Sequence, residues 1–267
     1  MLFVNSESKL KDAEMKLLLL TSSLIACSVG LAHAGGAHAH AAHQTDAIVS
    51  TTDENKVSSF DILAAHVHRN DRTVTFHMTT AGQAGQDIPQ STGNFGGSVV
   101  WSYVWPISLD PSAVGFEAGT GILVLAATSR PDFDDTPLFD ENSDGRIDND
   151  GSTWHSHWVV LTPNESCPSD ALGVRNIKDG ETPKMPATWP GVPIFLDSPA
   201  YTPVFDGPEI AINVTFADAE ISSAIAASYD GVTSALRVNA DLHAPLLCVE
   251  DVFDVASGDL SLPGVIQ

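Results

Sequence analysis

Basic residues are scarce in this chain: 12 Lys and Arg stand against 34 Asp and Glu, a formal net charge of −22 over 267 residues. A surface of that sign repels phosphate backbones and anionic lipid heads, which excludes nucleic-acid binding and polybasic membrane attachment. Long apolar runs are missing too. The stretch behind Lys16 falls short of the roughly 20 residues that a transmembrane helix needs. There is no phosphate-binding P-loop, no dinucleotide fingerprint, no G-x-S-x-G elbow, no H-E-x-x-H helix and no C-x-x-C-H haem attachment. No repeat of 20–50 residues is present, which argues against a propeller or solenoid. Hydrophobic residues make up 43% of the chain, enough for a real core, and 16 Pro with 20 Gly point to short strands and many turns.

The N-terminal segment has the marks of export. Lys16 precedes Leu17–Leu20 and a short apolar stretch, and Ala32-His33-Ala34 puts small residues where a signal peptidase cuts. Residues 1–34 therefore read as a signal peptide. Glu7, Asp12 and Glu14 suit no signal sequence, so Met15 is the expected true start. Leu24-Ile25-Ala26-Cys27 also has the form of a lipobox, which would anchor the chain through Cys27. Three lysines and three acids lie in this segment, so its removal leaves the charge at −22. It also leaves two cysteines, Cys167 and Cys248, which an oxidising compartment would join.

Residues 35–45 are small, polar and rich in His, and read as a flexible tail. From 46 to 267 one domain is expected, an all-β antiparallel sandwich or distorted barrel. Strands are expected at 57–68, 72–80, 98–106, 120–129, 153–162, 171–177, 192–196, 208–216, 232–243 and 246–255. One short helix is expected around 217–228, with long loops at 81–97, 130–152 and 178–191. Trp101, Tyr103 and Trp105 alternate along one strand and read as core rather than as a sugar-stacking platform.

Asp140, Asn142, Asp144, Gly145, Arg146 and Asp148 follow the pattern D-x-N-x-D-G-x-I-D. This run resembles the calcium loop of EF-hand and dockerin proteins. The resemblance implies Ca²⁺ held by side-chain oxygens of Asp140, Asn142 and Asp144, the backbone carbonyl of Arg146, and Asp148. It covers about a dozen residues and departs from the pattern at position 12, where Gly151 replaces the bidentate Glu and Asp150 is the nearest substitute. Asp132, Asp134 and Asp135 offer further oxygens. Prolines before the loop and a strand after it point to a calcium loop on a β-scaffold, not an EF-hand domain. A solvated acidic turn is the plain alternative.

The histidines are patterned as well. His66-Val67-His68 and Thr73-Val74-Thr75-Phe76-His77 read as a hairpin with Asn70-Asp71 at its tip. Strand alternation puts His66, His68 and His77 on one face and Ala65, Val67, Val74, Phe76 and Met78 on the other. His155 and His157 form a second H-x-H, with Trp154 and Trp158 on the opposite face. Imidazole clusters suit a transition metal, with Zn²⁺ or Cu²⁺ expected here, rather than Ca²⁺ or Mg²⁺. The expectation is one shared site built from His66, His68, His155 and His157, with His77 as a fifth ligand or supporting residue. His243 and the tail residues His38, His40 and His43 are weaker candidates, and Glu117 and Asp241 are the acids considered as a general base. The sequence thus describes an exported, acidic, metal-binding β-protein, with metal-dependent catalysis left open. The alternative is a calcium-stabilised cell-surface module that binds a protein or glycan partner. A haem-binding sandwich is a third reading.

Overall fold

Apolar residues on alternate positions build two antiparallel sheets, seen in a computed structural model that describes residues 47–134, 136, 139–168 and 171–267. The expected signal peptide, Cys27, the tail histidines and Asp135 lie outside the described residues. The first sheet runs in the order β1 (Ile48–Val49), β2 (Ile62–Asn70), β3 (Thr73–Thr80), β10 (Glu209–Thr215), β9 (Val204–Asp206). Its inner face carries Ala65, Val67, Val74, Phe76 and Met78, all buried, as strand alternation requires.

The second sheet contains β4 (Val99–Ile107), β5 (Ile122–Ser129), β6 (His155–Pro163), β7 (Leu172–Val174), β13 (Leu247–Val255) and β12 (Val232–Val238). Because β12 pairs with both β13 and β4, these six strands close into a barrel. β11 (Ser228–Tyr229) and β14 (Gly264–Val265) extend from β4, and β8 (Leu196–Asp197) adds to β6. The all-β expectation is met, with a sandwich and a barrel sharing strands.

Strands β4, β5 and β6 each serve two cores. Tyr103, Trp105, Leu125 and Trp158 point outward and pack against the first sheet. Val104, Val124, Val159 and Leu236 point inward and line the barrel. This explains why β5 reads as apolar on both faces. Trp101, Tyr103 and Trp105 join the shared core, so they offer no exposed stacking platform.

The disulfide between Cys167 and Cys248 forms as expected, with Cα atoms 5.5 Å apart. It lies at the thinnest seam of the barrel, where β7 and β13 share a single register pair, Cys248 opposite Gly173. A Cβ on Gly173 would sit 3.0 Å from Cys167 Sγ and 2.6 Å from Pro245 Cγ, so the close approach there needs glycine.

Several boundaries differ from the sequence reading. Residues 57–61 form a turn, because the Phe60 and Asp61 N–H groups both donate to the Val57 carbonyl. The 232–243 strand stops at Val238, beyond which 239–246 turns back toward β13. The helix is one short segment, α1 (Ile221–Ile225), and the two-residue β1, β11 and β14 and the three-residue β9 are too short to leave a period in the sequence.

Candidate functional site

The β2–β3 hairpin turns one residue later than expected. Asn70 pairs with Thr73, leaving Asp71-Arg72 as the two-residue connection, and Asp71 takes φ 57°. Aspartate tolerates the left-handed region, which lets it occupy that position. The shift keeps strand parity but changes who faces whom: His66 pairs directly with His77 and His68 with Thr75.

On the outer face of the first sheet, His66, His68 and His77 gather into one cluster. One ring nitrogen from each lies within 4.8 Å of those of the other two, which makes this a group able to hold a metal ion. The His66 and His77 rings are 4.4 Å apart and inclined by 6°, and His68 lies 5.1 Å from His77. His68 is exposed and the other two are half-buried. Burial, and then the neighbouring histidines, push the His77 pKa down to about 4. Burial and His68 also lower that of His66, against a small opposing pull from Glu209. Both are therefore neutral at pH 7, the form that ligates metals. The backbone beneath is fixed, since Trp105 Nε1 donates to the His77 carbonyl at 3.2 Å.

His155 and His157 do not join this cluster, which corrects the shared-site expectation. They sit on β6 of the barrel sheet, where Trp158 and Val160 face the first sheet and His157 faces the barrel lumen. The core between the sheets therefore separates them from His66, His68 and His77. Parity within the H-x-H is as expected; what the sequence did not disclose is which sheet the strand joins.

Arg130, just past the end of β5, takes the place a metal was expected to hold. Its Nη2 donates to His155 Nδ1 and to His157 Nε2, each at 3.1 Å, and its Nη1 donates to Thr128 Oγ1. His155 Nε2 donates to the Asp150 carbonyl at 2.6 Å, which leaves Nδ1 as the acceptor for Arg130. The Thr136 hydroxyl lies between His155 Nδ1 and Asp134 Oδ1, 2.7 Å from each. His157 Nδ1 faces Ser198 Oγ at 3.3 Å. The ring lone pairs that a metal would need are thus engaged by a guanidinium. Burial and the Arg130 charge lower the His155 pKa to about 4 and hold His157 well below its usual value. Burial also lowers Arg130 to about 9, opposed by the charges of Asp134 and Glu141. Arg130 was missed in the sequence reading. Its only signal there is one basic residue closing an apolar strand of a highly acidic chain.

The acidic loop is held by its own side chains. Asp140 Oδ2 accepts from the Gly145 N–H at 2.8 Å, Asn142 Oδ1 from the Asp144 N–H at 2.8 Å, and Asp144 Oδ1 from the Arg146 N–H at 2.9 Å. Gly145 has φ 89°, the left-handed turn expected at position 6. Two expected ligands are turned to other tasks. Asp148 pairs with the Arg146 side chain at 3.1 Å. Asp150 is buried, and its Oδ2 accepts from the Glu141 N–H at 3.2 Å. Asp132 is also used structurally, accepting from the Thr92 and Gly93 N–H groups. Asp140 and Glu141 line a polar pocket of about 230 Å³ beside His155, so the loop does border the second histidine pair.

The remaining candidates stand apart. His243 is exposed and bonded to Asn176 Oδ1 at 2.8 Å, Asp241 is an exposed acid of the same loop that accepts from the His243 N–H at 2.9 Å, and Glu117 is an exposed acid elsewhere. The chain matches no protein-family model, no curated protein and no solved structure.

Proposed function

We propose that this is an exported metal-binding protein whose His66–His68–His77 cluster takes up Zn²⁺ or Cu²⁺. One observation carries the reading: three imidazoles from paired strands place their nitrogens within 4.8 Å of one another on a solvent-facing sheet. Ligand nitrogens around a tetrahedral ion at bonds of about 2.0–2.1 Å lie nearer together than that, so small ring rotations would complete the site. Three protein ligands leave a fourth position for water or an incoming group. An open site on a sheet face favours capture and exchange of metal over chemistry on an enclosed substrate. Export is supported by the signal-like N-terminus and by the disulfide, which belongs to an oxidising compartment. Calcium at Asp140, Asn142, Asp144 and the Arg146 carbonyl belongs to the same reading, supported by the loop's spacing and the Gly145 turn.

Metal analysis of the full chain loaded with one equivalent of Zn²⁺ or Cu²⁺ tests this. One ion per chain is expected, lost in His66→Ala/His77→Ala and kept in His38→Ala/His40→Ala/His43→Ala. The opposite pattern would assign the metal to the tail and end the proposal.

A further inference from the structure

The barrel encloses an apolar cavity of about 250 Å³ that no part of the metal reading uses. Val and Leu make up most of its wall, and no Phe, Tyr or Trp among the described residues lines it. The large aromatic residues go instead to the core shared with the first sheet, Trp105, Phe76 and Trp158 among them. An unfilled apolar void forfeits the dispersion contacts that its walls would make with an occupant.

The polar side chains of the wall are already engaged. Ser102 Oγ and Ser234 Oγ lie 2.8 Å apart, and Ser102 also donates to the Ser234 carbonyl at 3.1 Å. Arg130 bonds Thr128, His155 and His157, and the charges of Asp134 and Glu141 act on it. His157 is held between Arg130 and Ser198. A buried water needs about two to four polar partners, so such a wall favours an apolar occupant over water. It also offers a charged head no uncommitted counter-charge.

The cavity is long and narrow. Ile122, Val124, Ala126 and Thr128 are successive inward positions of β5, a run of roughly 20 Å at about 3.3 Å per residue. A volume of about 250 Å³ spread over that length is a bore one alkyl chain wide. The end at Pro106 and Ile122 meets solvent, with Ile122 and Leu260 41% and 47% exposed. The segment carrying Leu260 is tied there, because Ser257 Oγ donates to Asp230 Oδ2 and the Asp230 N–H donates to the Pro106 carbonyl at 3.1 Å.

We propose that the barrel lumen binds a neutral molecule with a single unbranched alkyl chain, which enters at the Ile122–Leu260 end. The apolar wall rewards the burial of each methylene. The narrow bore turns away cage-like ring systems and two-tailed lipids. An anionic head finds its only cation in the wall committed to other groups, and the net charge of −22 opposes leaving it at the mouth.

Calorimetric titration of the full, metal-loaded protein with the straight-chain alcohols from 1-pentanol to 1-octanol tests the proposal. One molecule per chain should bind, and each added methylene should tighten binding about fourfold, the equivalent of about 0.8 kcal/mol per buried CH₂. Octanoate and 1-adamantanol should each bind at least tenfold more weakly than 1-octanol. Ala126→Phe, which fills the lumen midway, should weaken 1-octanol at least tenfold. The proposal would be overturned by no saturable binding, by affinity independent of chain length, or by equal affinity for octanoate or 1-adamantanol. Unchanged binding by a folded Ala126→Phe would overturn it too. If Ala126→Phe does not fold, the chain-length series on the unaltered protein decides.

Discussion

His66 stands directly opposite His77 across the β2–β3 pair, with ring centroids 4.4 Å apart and ring planes within 6° of parallel. Burial first, and then the repulsion between neighbouring cationic imidazoles, pushes the His77 pKa down to about 4. The hairpin thus keeps a pair of unprotonated ring nitrogens close together at neutral pH.

That pairing makes His77 the residue most exposed to test. His77→Ala should lower Zn²⁺ or Cu²⁺ affinity at least tenfold, read by competition with a chromophoric chelator. His243→Ala should leave it unchanged, since His243 is bonded to Asn176 elsewhere on the surface. Equal affinities in the two variants would remove the hairpin from the metal site.

Acid should destabilise the fold through the second pair of histidines. Unfolded His155 would take up a proton near pH 6.5, whereas folded His155 resists until about 4. Between those values the unfolded state carries more protons, so stability is full above pH 6.5 and is lost as pH falls toward 4. The slope for a group fully protonated in one state only is about 1.4 kcal/mol per pH unit. His157 acts in the same direction. Urea unfolding in chelator between pH 7.5 and 4.5 should show the decline, and His155→Gln should flatten part of it. A pH-independent midpoint would contradict the neutral, Arg130-bonded state.

Reduction should loosen the barrel at its seam. The Cys167–Cys248 bond spans 81 positions, and closing a loop of that length is worth on the order of 4 kcal/mol in the chain-entropy model. Cys167→Ala/Cys248→Ala should lower the denaturant midpoint accordingly. Amide exchange should rise first in Leu172–Val174, where β7 meets β13 at one register pair. Exchange that rises uniformly would show that the seam is not the weak point.

Calcium removal probes the acidic loop. Chelation should lower the melting temperature, because an ion bound to the folded state alone stabilises it by mass action. Asp144→Ala should abolish that response, since Asp144 also bonds the Arg146 N–H and the Asn149 amide. Identical chelator responses in both proteins would leave the loop as an acidic turn held by its own hydrogen bonds.

Much of this protein follows from residue order alone. Alternation assigned the buried face of β2 and β3, from Ala65 to Met78, because side chains on a strand must alternate. The same rule placed His66, His68 and His77 together, since the hairpin that joins them is local. Cysteine count identified the Cys167–Cys248 bond because these are the two cysteines outside the expected leader. Tertiary structure decided what depends on which strands become neighbours. Parity says that His155 and His157 share a face; only barrel closure turns that face inward, away from His66. Arg130 meets them because β5 and β6 pair with Thr128 opposite His155, a register set by the burial of whole sheets. The lumen, too, exists only once β12 closes on β4, since a cavity belongs to no single strand.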